Sequence, residues 1–127
     1  MRRLITLAAL AAILGLSSSA LASATKPTRR PPTKTERARI AVAEGIPARC
    51  ETIYVSTADR DWAIATTNDR CPQYQAGGYS YSVLHLRAHW RIVTEGDEPS
   101  CAVPRSRPGQ PRIPRRIWVG LEDLRCA

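Results

Sequence analysis

Past residue 16 this chain of 127 residues has no long hydrophobic run, and nowhere does it repeat itself. The first absence excludes a second membrane segment, because a span needs about 20 apolar residues. The second excludes a stacked array. Histidine is scarce: only His85 and His89 occur. They fall on an expected hairpin with no third ligand nearby, so no metal site is expected there. Asp59, Asp61, Asn68 and Asp69 lie close in sequence but lack the glycine and terminal glutamate of an EF-hand loop. Those residue types are the ordinary formers of turns. No serine sits in a nucleophile elbow, and no pair of acids is placed across a cleft by sequence alone. We therefore expect no catalytic residue, no metal and no cofactor, and read the chain as non-enzymatic.

What is present begins with "MRRLITLAALAAILGLSSSALASA". Arg2 and Arg3 form a positive start, Leu4 to Leu16 an apolar run, and a small-residue stretch offers cleavage after Ala22 or Ala24. No cysteine stands at the cleavage site to carry a lipid, and the rest of a twin-arginine signal is missing. Residues 1–24 are expected to be a secretory signal peptide. The mature protein is then secreted or otherwise extracytoplasmic, has no membrane span, and does not meet nucleic acid. Subtracting 24 from 127 leaves 103 residues, one small domain. A core of that size often needs staples, and four cysteines in an exported chain supply them.

The formal charge of +8 is unevenly placed. Residues 25–49 hold seven Lys or Arg against two acids, and residues 105–116 hold five Arg and no acid. Both stretches are rich in proline, which neither a helix interior nor a central strand accepts. Residues 25–35 are therefore expected to form a flexible basic arm, residues 36–127 the domain, and Ala102–Pro114 an exposed loop. Arg29 and Arg30 on the arm and Arg105, Arg107 and Arg112 on the loop are candidates for contact with an anionic surface. In "YQAGGYSYS", Tyr74 and Tyr79 could stack on a partner, although glycine and tyrosine there also suit a turn entering a strand.

Thr33 and Glu36 have the spacing of a capping box, which predicts a helix from Lys34 to Glu44 ended by Gly45. Its apolar stripe is thin. Two hairpins follow. In the first, a turn centred on Asp59 and Arg60 pairs Val55 with Ile64 and Ile53 with Thr66, collecting the large apolar side chains on one face. In the second, a tip of Arg87, Ala88 and His89 sets Leu86 opposite Trp90 and Leu84 opposite Ile92, leaving both histidines exposed. A last helix starts at Pro114, buries Ile117, Trp118, Leu121 and Leu124, and turns Glu122 and Asp123 away. The class is α+β: two hairpins in a small antiparallel sheet, with an N-terminal and a C-terminal helix covering one face. Four cysteines allow three pairings. We expect Cys50–Cys71 and Cys101–Cys126, each contributing about 3 kcal/mol by constraining the unfolded chain.

Three stretches, "VSTADRDWAIA", "VLHLRAHWRIVTEG" and "IPRRIWVGLEDLRC", resemble a diffuse group of small exported bacterial proteins. Val55, Ser56, Thr57, Asp59, Trp62 and Ala63 match its first motif. Trp90, Arg91, Val93 and Gly96 match its second. Pro114, Ile117, Asp123, Leu124 and Cys126 fit its ending, with one residue rather than two between Leu124 and Cys126. The resemblance implies a fold and carries no activity. Together these readings lead us to expect a non-enzymatic binding domain whose partner is a protein or an anionic surface polymer outside the cytoplasm. The alternatives are an inhibitor of an extracellular hydrolase acting through the proline-rich loop, and a surface protein held by its basic segments.

Overall fold

The computed structural model describes residues 26–75, 77, 78 and 80–127. The expected signal peptide and Tyr79 lie outside the described residues. The elements are β1 (Arg29–Arg30), α1 (Lys34–Glu44), β2 (Glu51–Ser56), β3 (Trp62–Thr67), β4 (Tyr81–Leu86), β5 (Trp90–Gly96) and α2 (Arg115–Leu121). The strands form one antiparallel sheet in sequence order, a five-stranded meander. Two hairpins, two terminal helices and both disulfides thus appear as expected. The strand count differs, because the arm supplies a fifth strand.

A second difference lies in the first hairpin. Its loop is the five-residue turn Thr57–Asp61. Ser56 Oγ accepts from the N–H groups of Ala58 and Asp59 (both 3.2 Å), and Asp59 Oδ1 accepts from Asp61 N–H (3.0 Å). The register is therefore Val55 opposite Ala63 and Tyr54 opposite Ile64, one residue from the expected pairing. A one-residue shift exchanges faces. Ile53, Val55, Ala63 and Ala65 join Leu84, Trp90 and Ile40 of α1 on one side. Trp62, Ile64, Tyr81, Val83 and Val93 pack on the other against Ile117, Trp118 and Leu121 of α2. The helices cover opposite faces, not one. The sheet is the filling of a three-layer sandwich.

The second hairpin has the expected register, Leu86 opposite Trp90 and Leu84 opposite Ile92. Beyond Ile92 a bulge at Val93 shifts the pairing, so that Val83 meets Thr94 and Tyr81 meets Gly96. The capping box of α1 is present, with Glu36 N–H donating to Thr33 Oγ1 (3.2 Å) and Thr33 N–H to Glu36 Oε2 (2.7 Å). Gly45 closes the helix at φ 68°, a left-handed geometry that glycine adopts at least cost.

The basic arm is fastened, not free. Thr28 Oγ1 donates to Gly120 O (3.0 Å) and Arg29 to Leu121 O (2.9 Å), while the Arg29 guanidinium sits 4.0 Å from the centre of the Tyr54 ring. Arg30 grips Glu36 with two bonds of 2.8 and 2.9 Å. That grip holds the Glu36 carboxyl down at about 2.

Two predictions follow from the packing. A Cβ on Gly96 would stand 2.5 Å from Tyr81 Oη and 2.7 Å from Cζ, and the Tyr81 ring is backed by Trp118 at 5.3 Å between centroids. Gly96→Ala should cost about 1–3 kcal/mol in urea unfolding, and Tyr81→Phe should not rescue it, since the ring carbon is also in the way. Separately, Cys50 and Cys71 are 0% and 3% exposed, whereas Cys101 is exposed and Cys126 half-buried. Limited reduction of the native protein followed by alkylation should label Cys101 and Cys126 well before the other pair.

Candidate functional site

The loop after Cys101 is built to hold a shape. Buried Ile113 joins the α2 core and Val103 packs against it. Between them Arg107 N–H donates to Val93 O (2.8 Å), tying the loop to β5 at its bulge. Gln110 N–H closes a turn on Arg107 O (3.0 Å), with Gly109 at φ 77°, and Ser106 Oγ donates to Pro111 O (2.7 Å). Trp118 Nε1 donates to Ser100 O (2.7 Å), which secures the entry.

Two clefts flank this loop and share Gln110. One, of about 470 Å³, is lined by Arg105, Arg107 and Arg112 with Val103 and Pro104. The other, of about 290 Å³, lies against the β4–β5 tip and is lined by Arg87, Arg91 and Pro111. Arg107 is paired with Glu95. Among the described residues Arg87, Arg91, Arg105 and Arg112 form no ion pair, and all four are exposed. Arg105, Arg107 and Arg112 are therefore brought together as candidates. Arg29 and Arg30 are not: they lie at the opposite edge of the sheet and are spent on Tyr54, Leu121 and Glu36. Arg87 at the hairpin tip and Arg91 on β5 have no binding role in the sequence reading, although the tip lies where that reading places it.

The other candidates separate in the same way. Tyr74 is 38% exposed in a short 3₁₀ turn, Pro72–Tyr74, and lines neither arginine cleft. His85 is not freely exposed: its ring leans on Trp62 at 4.4 Å, and its Nδ1 is buried without a partner. Asn68 is occupied as a turn former, its Oδ1 accepting from Arg70 N–H (3.0 Å) and its Nδ2 donating to Arg49 O (3.1 Å). Glu122 does not point away. It is half-buried, with Oε1 unpartnered, and burial raises its carboxyl above the ordinary value.

Sequence reasoning also missed a group of acids under the end of α1. Glu44 accepts from Ser82 Oγ (2.9 Å), and Glu51, 4% exposed, lies near it. Each keeps one oxygen buried and unpartnered. Burial first, then the neighbouring Glu95, lifts Glu44 to about 7, against the opposing Ser82 bond. Burial first, then Glu44, lifts Glu51 to about 8. No sequence signal marks this cluster, because Glu44 reads as a helix end and Glu51 as one strand residue among others.

Comparison with protein-family models, with curated proteins and with solved structures finds no match. The class that the fold defines is therefore structural: a small disulfide-stapled α+β meander with a helix on each face. Its two crosslinks point to an oxidising, extracytoplasmic environment. Among the described residues no helix is long and apolar enough to cross a membrane.

A carboxyl whose folded value is raised keeps its proton where the unfolded chain has lost it. Glu44 and Glu51 should thus weaken the fold as pH climbs from about 4.5 through 8. Glu51→Gln mimics the protonated form. It should match the parent at pH 4.5 and exceed it at pH 8 by on the order of 1 kcal/mol, after solvent screening, in urea midpoints. A variant less stable than the parent at pH 8 would refute this.

Proposed function

We propose that this chain is a non-enzymatic binding domain working outside the cytoplasm, and that its adjoining arginine clefts take an anionic polymer. One observation carries the reading: four exposed arginines with no acid partner among the described residues, Arg87 and Arg91 on the β4–β5 hairpin and Arg105 and Arg112 on a loop fixed at both ends, line two adjoining clefts that share Gln110. A guanidinium presents a planar fork that fits carboxylate or phosphate oxygens two at a time. Holding several such forks on a rigid loop spares the ordering cost that mobile side chains would meet on binding. The loop lies against β5 and lines concave surface, which favours ligand capture over insertion into the active site of an extracellular hydrolase.

Titration of the oxidised protein with inorganic polyphosphate, followed by calorimetry at several salt concentrations, tests the reading. Affinity should fall steeply as salt rises. Arg105→Ala with Arg112→Ala should weaken binding by roughly tenfold or more. Arg116→Ala with Arg125→Ala, an equal loss of charge outside both clefts, should weaken it far less. Equal losses in the two double variants would reduce the effect to net charge alone and overturn the assignment.

A further inference from the structure

Only Ile40 of α1 is fully buried against the sheet. On the flank beside it, Ala38 with Val42 and Arg39 with Ala43 stand at i, i+4 spacing and share one face. The two alanines are too short to close the gap to the β4–β5 tip. A groove of about 500 Å³ remains there. Buried Trp90 and half-buried Leu86 and Ala43 form its floor, and exposed Val42, Arg39 and His89 its rim. Val42 is 82% exposed; among the described residues Tyr74 is the only other large apolar side chain left in water. A ligand over this floor and rim would remove apolar surface from water that the fold alone leaves exposed.

The charge of the groove is one-sided. No acid lines it. Arg39 makes no hydrogen bond or ion pair among the described residues. Glu36, one turn back, is held by Arg30, and Glu44, beyond the next turn, accepts from Ser82. In the recess next to the groove, Arg60 stands with Asp61, so that recess brings no excess of negative charge.

We propose that this groove binds a single carboxylate carrying an unbranched apolar tail, the chemistry of a medium-chain fatty acid. The tail lies along Trp90 and Leu86 beside Val42. The carboxylate accepts from the Arg39 guanidinium, whose planar fork matches its two oxygens, and His89 offers a further N–H at the rim. Small-ligand sites enclose roughly 300–1,000 Å³ and combine a mostly apolar lining with a few polar groups, as this groove does. A protein partner fits it less well. A stable interface covers about 800 Å² on each side, whereas the groove presents one exposed aliphatic side chain. A second copy in two-fold contact would set this lining against itself, which brings no acid to Arg39. The groove shares only Ala88 with the arginine clefts and does not rest on the anionic-polymer reading.

The test titrates the whole oxidised protein with octanoate and decanoate by ¹⁵N NMR. Butyrate offers the head with little tail, and octanol the tail without charge. Both longer acids should shift the amides of Ala38–Ala43 and Ala88–Trp90. The two added methylenes of decanoate should tighten binding on the order of tenfold. Butyrate should bind at least about tenfold more weakly than octanoate. Arg39→Gln should weaken octanoate by roughly tenfold and leave octanol unchanged. Val42→Glu supplies the missing acid one turn from Arg39 and should weaken octanoate likewise. Val42 is exposed, so this variant should keep the parent spectrum elsewhere. Arg105→Ala with Arg112→Ala should bind octanoate as the parent does. Octanoate that moves the arginine-cleft amides instead, octanol that binds as tightly as octanoate, or Arg39→Gln that binds octanoate like the parent would each overturn the proposal. A dimer in sedimentation that octanoate leaves intact would give the groove to a second copy and overturn it too.

Discussion

The fold depends on the odd length of one turn. Five residues, Thr57–Asp61, join β2 to β3, and Ser56 and Asp59 hold the turn through their side-chain oxygens. That geometry sets Val55 opposite Ala63, and everything apolar in the hairpin is then divided between two faces. Ile53 and Val55 go one way, Trp62 and Ile64 the other. A sheet that is apolar on both faces cannot leave either in water. The chain answers with a helix from each end, α1 on one side and α2 on the other. Small Ala63 and Ala65 on the α1 face leave room for the Trp90 ring and Ile40, while the α2 face is filled by larger side chains.

Neither helix could stand alone. α1 buries only Ile40 fully, and α2 has seven residues. Their attachment comes from outside the helices. Arg30 ties α1 to β1 through Glu36, Thr28 and Arg29 tie the end of α2 to the same strand, and Cys126 bonds the tail to Cys101. Cys50–Cys71 closes the other end of the first hairpin. Thr28, just before the edge strand, and Arg29, within it, thus each hold a residue 92 positions away in sequence.

What could be read beforehand was local. The capping box at Thr33 and Glu36, the three-residue tip at Arg87–His89 and the Pro114 start all depend on neighbours within a few positions. Each came out as its spacing indicates. The two disulfides were legible because the cysteines bracket whole units of local structure. What could not be read was set by competition at a distance. Alternation along β2 and β3 fits either register, and only the hydrogen bonds within the turn decide between them. The arm looked free because proline and arginine are poor strand formers, yet one cation over Tyr54 and one ion pair with Glu36 are enough to hold it. For the arginines the loop half was visible as a charge run. The hairpin half, Arg87 and Arg91, becomes part of the surface only through the contact between Arg107 N–H and Val93 O.

The placement of basic, proline-rich sequence then has a structural reason. An open meander has two edges, and unpaired edge strands invite other strands to add. Here both edges are guarded by segments of the same composition. The arm with Pro31 and Pro32 runs beside β2, and the loop with Pro104, Pro108 and Pro111 runs beside β5. Proline cannot donate a ladder bond, and clustered arginine repels a second copy of itself, so such guards cover an edge without extending it. They also cover it incompletely. Each leaves a concave strip between a rigid strand and a chain that pairs with it at one or two points, and each strip is bordered by arginine. The same composition that keeps the sheet from growing thus borders its recessed surfaces with arginine.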